Sequence, residues 1–161
     1  MGLDMSLYLR HTSSGYEEGT ENIKESYPEE LQLIIKDDGN VGYISKETYY
    51  EVAYWRKANA IHKYFVDKCA NGVDECQEIF VPLGDLKVLV DLCEEVLNDN
   101  KLAPDLLPTQ QGFFFGSYEY DDYYFNKIKY TYDVCSKIIT FVETQIKNDN
   151  YHWDIVYQSS W

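Results

Sequence analysis

Basic residues are scarce in this chain. Its 161 residues include 14 Lys and Arg against 28 Asp and Glu, a formal net charge of −14. A field of that sign repels nucleic acid and anionic membranes at long range, so direct binding to either is not expected. Apolar runs are short, and none reaches bilayer length. The start, Met1-Gly2-Leu3-Asp4-Met5, has neither the basic nor the apolar region of a signal peptide. The four cysteines (Cys69, Cys76, Cys93, Cys135) form no Cys-x-x-Cys pair and no zinc-site spacing. Only three histidines occur, and no Gly-x-Ser-x-Gly elbow, His-Glu-x-x-His, EF-hand loop or P-loop is present. These absences point to a cytoplasmic protein with no metal, no cofactor and no assignable catalytic residue. Whether it is an enzyme stays open, with the balance against.

What the chain does contain is apolar and aromatic material. Hydrophobic residues make up 45% and aromatics 16%, including 16 Tyr, too much for a disordered chain. Tyrosine buries its ring while keeping its hydroxyl wet or paired, so a broad boundary zone or a contact surface is implied. Cys93 and Cys135 fall on apolar helical stripes and read as buried thiols. Cys69 and Cys76 flank a short loop and would bridge only in an oxidising compartment.

Leu3, Met5, Leu7 and Leu9 alternate with polar residues, the pattern of a strand with one buried face. An acidic surface loop is expected over about 12–29. Leu31 to Ile35 and Val41 to Ile44 flank Asp38-Gly39, a hairpin signal. Thr48 to Tyr54 reads as a strand. From Arg56 the spacing of Ala58, Ile61, Phe65 and Cys69 is helical, closed by Asn71-Gly72. A short strand at 79–81 stops at Pro82. A second helix runs from near Gly84-Asp85 to Asn98. The longest stripe, Phe125 to Ile146, follows an N-cap at Asp121 or Asp122. A closing strand at 151–157 is placed beside the first. The expected fold is α+β: one domain, residues 1–161, with a mostly antiparallel sheet covered by about three helices.

The densest mixed chemistry lies in Tyr54-Trp55-Arg56-Lys57-Ala58-Asn59-Ala60-Ile61-His62-Lys63-Tyr64-Phe65, at the joint of a β half and the first helix. Asn59 and His62 share a helical face, with Trp55 one turn earlier. Arg56 and Lys57 are expected in the first turn, where free backbone N–H groups favour anions. Guanidinium, ammonium, amide and imidazole together suit a phosphate or carboxylate. The competing reading makes Arg56 and Lys57 solvated charges, Trp55 core and His62 a hydrogen-bonded helix residue. Gly112-Phe113-Phe114-Phe115-Gly116-Ser117 reads as a buried strand or aromatic plug, with Phe114 available for stacking and Ser117 offering a hydroxyl.

The Tyr54–His62 block, Leu107-Pro108-Thr109-Gln110-Gln111-Gly112-Phe113-Phe114-Phe115-Gly116-Ser117, the first five residues and the ending Gln158-Ser159-Ser160-Trp161 together resemble a family of small bacteriophage and prophage proteins. The resemblance covers most of the chain in separated blocks and brings no catalytic residue with it. It implies a phage origin and action in the bacterial host cytosol, countering host defence by binding. In that reading Trp55, Arg56, Lys57, Asn59, His62, Phe114 and Ser117 hold an anionic, nucleotide-like small molecule. Arg56 and Lys57 contact phosphate, Trp55 or Phe114 stacks on a base, and Asn59 reads a polar edge. One alternative is an acidic nucleic-acid mimic of the anti-CRISPR type, occupying the groove of a basic host protein through Glu17, Glu18, Glu119, Asp121 and Asp122. Another is a small nucleotide-processing enzyme with His62 as acid or base. Self-association is left open.

Overall fold

The computed structural model describes residues 2–16 and 43–161, with side chains described over 2–12 and 47–161. Contacts divide the chain into two compact units, 1–10 with 49–161, and 11–48. The elements are β1 (Asp4–Tyr16), β2 (Tyr43–Arg56), α1 (Asn59–Cys69), β3 (Ile79–Phe80), α2 (Leu83–Asn98), the short α3 (Ala103–Leu106), α4 (Asp122–Lys147) and β4 (Trp153–Ser160). The strands form one antiparallel sheet in the order β2-β1-β4-β3, and the fold is α+β.

Period-two patterning does what it predicts in β1. Leu3, Met5, Leu7 and Leu9 are buried, while Asp4, Ser6, Tyr8 and Arg10 lie on the other face. Each such leucine contributes about 2 kcal/mol by leaving water. The closing strand does lie beside the first, and Ile155 and Tyr157 add to the same buried face. β3 pairs with β4 through Ile79↔Tyr157 and Phe80↔Val156.

β1 is longer than its apolar alternation. It continues to Tyr16, so the first residues of the expected 12–29 loop are strand. Ladder hydrogen bonds with the neighbouring β2 need no side-chain pattern, so the backbone stays extended where the alternation has ended. The rest of that loop, with Glu17 and Glu18, and the turn at Asp38-Gly39 lie outside the described residues. In β2 the alternation slips by one. Glu51 accepts a hydrogen bond from Ser6 and Tyr54 donates to Asp4, both on the outer face, although they are three residues apart. Val52 and Ala53 between them both pack toward the core. That is the side-chain signature of a bulge.

The helices end where their caps predict. Gly72, in the left-handed region, donates its N–H to Val66 O at 2.9 Å and closes α1. Asp121 accepts from Tyr124 N at 3.0 Å and opens α4. α2 packs along α4, with Cys93 and Cys135 completely buried. Burial pushes the Cys135 thiol up to about 12 and Cys93 higher still, and pushes Cys69 up to about 11. All four cysteines are free thiols. Among the described residues no helix is long and apolar enough to cross a membrane.

Candidate functional site

The joint between β2 and α1 is where sequence expectation and structure part in detail. Arg56 and Lys57 were expected in the first turn of a helix. Arg56 instead closes β2, and α1 begins at Asn59 with Ala58 as its N-cap. The ladder explains the delay. Lys57 N donates to Leu3 O at 2.7 Å, which keeps the chain paired one residue beyond the strand. Tyr123 Oη donates to Arg56 O at 2.6 Å, so that carbonyl is not released to a helix. The turn into α1 is then made at Lys57, whose φ is 53°, a region few residues other than glycine adopt.

Three predicted ligand residues turn inward and serve the fold. Trp55 is fully buried, and its Nε1–H donates to Thr131 Oγ1 at 2.9 Å. Its ring packs on Phe65 and Tyr130, so no face is left for stacking on a ligand. Asn59 and His62 do share a helical face, but that face meets the core. Asn59 Nδ2 donates to Phe115 O at 3.1 Å and Ser117 O at 2.8 Å, while its Oδ1 accepts from Gln110 N at 3.2 Å. The side chain is a staple for the 110–117 loop.

His62 is completely buried between Tyr157 and Asp74. A carboxylate only accepts, so Nε2 carries the proton toward Asp74 Oδ2 at 2.9 Å, and Nδ1 accepts from Tyr157 Oη at 2.7 Å. Burial first, and the nearby Asp74 charge second, hold the Tyr157 hydroxyl well above the usual phenol range, so it stays a donor. Trp161 Nε1–H completes the chain to Asp74 Oδ1 at 3.2 Å. Both imidazole nitrogens are thus taken up inside the protein, and the ring has no path to a substrate.

The aromatic run divides in the same way. Phe115 is the plug, buried edge-on against the His62 ring at 5.1 Å. Phe114 is half-buried, and its carbonyl accepts from Leu3 N at 3.0 Å. Phe113, expected inside with its neighbours, is 95% exposed. Ser117 is exposed; its Oγ accepts from Glu119 N at 3.1 Å.

What remains outward includes two lysines, Lys57 and Lys127, beside Glu119 and Asp121. A crevice of about 20 Å3 opens at the N-terminus of α1, lined by Lys57, Asn59, Ala60, Ser117, Glu119 and Lys127 among others. Its volume exceeds the roughly 10–15 Å3 that one water requires. Asn59 and Ala60 are buried, and nothing among the described residues accepts from their backbone N–H groups. Buried amides of this kind need a partner. α4 has its Asp121 cap, whereas α1 has no capping side chain.

Lys57 is held beside those amides. A Cβ on Gly2 would stand 3.2 Å from Lys57 Cε, and one on Gly116, at φ 89°, would stand 3.0 Å from Lys57 Cβ. The lysine stem therefore runs through a slot that glycine keeps open. Lys57 has no carboxylate partner among the described residues. Lys127 lies over the Tyr123 ring at 4.9 Å, and Arg56 reaches Asp4 only at 4.0 Å. Of the two lining carboxylates, Asp121 is engaged as the α4 cap. Lys127 lies 70 residues beyond Lys57, and no sequence signal paired the two. Among the described residues no group of three or more His, Cys, Asp or Glu is placed to hold a metal ion.

No family model, curated protein or solved structure matches this chain.

Proposed function

We propose that this is a non-enzymatic binding protein that takes up the phosphate end of an anionic, nucleotide-like ligand at the N-terminus of α1. One observation carries the reading: a crevice at the uncapped N-terminus of α1 is lined by Asn59, Ala60 and Lys57, the last fixed between Gly2 and Gly116. Cations are unfavourable at a helix start, because they meet the positive end of the dipole. A lysine anchored there is offset by an anion that both groups share. The crevice admits a phosphate oxygen and not a base, so the rest of the ligand lies over the surface. Lys127 supplies further charge in the lining, Arg56 reaches the Gly2 slot that Lys57 passes through, and the exposed Tyr123 ring supplies stacking area. Trp55, Asn59 and His62 support the site from behind.

The setting suggested by the sequence blocks is a phage accessory protein that sequesters a host defence signal. Calorimetric titration with ADP tests the binding step. Lys57→Ala is expected to weaken ADP at least about tenfold, in line with a charge-assisted contact of about 1.5–3 kcal/mol. Unchanged affinity in that variant, or no binding by the parent protein, overturns the proposal.

A second reading has its own observation. α2 carries Asp91 and Glu95 at four-residue spacing, with no basic residue in its last turn and Asp99 as the residue that ends it. Like charges stacked this way, toward the negative end of a helix dipole, cost stability. Two carboxylates about 6 Å apart along the helix suit the basic groove of a nucleic-acid-binding partner. Such binding weakens steeply between low and physiological salt, whereas a short-range contact in the α1 crevice changes less.

A further inference from the structure

A second opening shares no lining residue with the α1 crevice. It is a groove of about 470 Å3 between the sheet and α4. Leu9 and Ile138, both nearly fully buried, lie at its base. The rings of Tyr50, Phe141 and Trp153 also line it. Those rings brace one another: Trp153 lies 5.8 Å from Tyr50 and meets Phe141 edge-on at 5.1 Å. The volume falls in the range of small-molecule sites, roughly 300–1,000 Å3.

Among the described lining residues one is charged, Lys137. Among the described residues no carboxylate lines the groove. Two other lysines of α2 and α4 are paired, Lys129 with Asp133 at 3.1 Å and Lys87 with Glu143 at 2.6 Å. Lys137 has no acidic partner among the described residues, in a chain with twice as many acids as bases. A lysine lays its stem along apolar surface and keeps its amine in water. The groove therefore combines apolar walls with one cation at its edge, and that asymmetry selects a ligand.

We propose that this groove binds one amphiphilic carboxylate of medium chain length, its tail over Leu9 and Ile138 and its carboxylate against Lys137. The source is the free molecule and not a lipid in a bilayer. A net charge of −14 opposes approach to an anionic surface, and an eight- to twelve-carbon tail is of the scale the volume accepts.

Decanoate, titrated into the full chain below its micelle-forming concentration, is the probe, with decan-1-ol as the neutral control. One decanoate per chain is expected, with a change in tryptophan emission that disappears in Trp153→Phe. Lys137→Ala, at an exposed position, is expected to weaken decanoate about fivefold and leave decan-1-ol unchanged. Val134→Trp, which fills the groove from a half-buried position, is expected to abolish uptake of both. No saturable uptake, equal loss of acid and alcohol in Lys137→Ala, binding to phosphatidylglycerol vesicles alone, or a concentration-dependent dimer that excludes decanoate would each overturn the proposal.

Discussion

The inner and outer halves of the Trp55–His62 stretch have opposite fates. Trp55, Asn59 and His62 point inward, and each spends its polar atoms on a protein partner: Thr131, the 110–117 backbone, and the Tyr157–Asp74 pair. Arg56 and Lys57 point outward and carry at most a long contact to an acid. Hydrogen-bonding richness in a sequence therefore has two meanings. Where burial is complete it marks a polar joint in the core, and only where polar groups stay partnerless does it mark a place for a ligand.

Raising the pH should break the interior half most severely. Burial makes the hydroxyls of Tyr64, Tyr124 and Tyr157 and the thiols of Cys93 and Cys135 weaker acids, with pKa values above the ordinary range. These groups keep their protons longer in the folded state than in the unfolded chain, where thiols titrate near 9 and phenols near 10. Their contribution is complete below about pH 9 and is lost above it, by up to about 1.4 kcal/mol per pH unit for each of Tyr157, Cys93 and Cys135 and by less for Tyr64 and Tyr124, which solvent screens. Urea midpoints measured from about pH 7 to 11 should fall only in the upper part of that range; a flat profile would mean these groups are solvated.

Asn59→Ala should be next in size. It leaves two carbonyls and one amide of the loop without their partner, at a cost of about 3 kcal/mol in chemical denaturation. Gly116→Ala links the two halves. It forces a side chain into the left-handed region and against Lys57, so about 1–2 kcal/mol of stability and part of the ADP affinity should be lost together. At the small end, Lys57→Ala should change the urea midpoint by no more than about 0.5 kcal/mol while it removes ligand binding. A large loss of stability there would place Lys57 with the structural half.

The same division decides what was legible in the sequence. Leu3 to Leu9, the stripe of α4, the Asp121 cap and the Gly72 terminus could be read because each depends on local spacing. The handover at Lys57 could not, because a ladder bond to Leu3 and a hydroxyl from Tyr123 set it, and both come from distant parts of the chain. For Asn59 and His62 the shared face was visible, but its direction depends on Phe115, Tyr157 and Asp74. Phe113 shows the limit of composition: three identical residues in a row took exposed, half-buried and buried positions. Lys127 was missed because only the packing of α4 against the start of α1 makes it a neighbour of Lys57.

Amide chemical shifts of 15N-labelled protein during an ADP titration test the central claim most directly. The N–H signals of Asn59 and Ala60 should move the furthest, saturably, and this response should vanish in Lys57→Ala while the rest of the spectrum is preserved. Unmoved Asn59 and Ala60 signals at saturating ADP, or shifts centred on another surface, would contradict the claim that the N-terminus of α1 is the anion site.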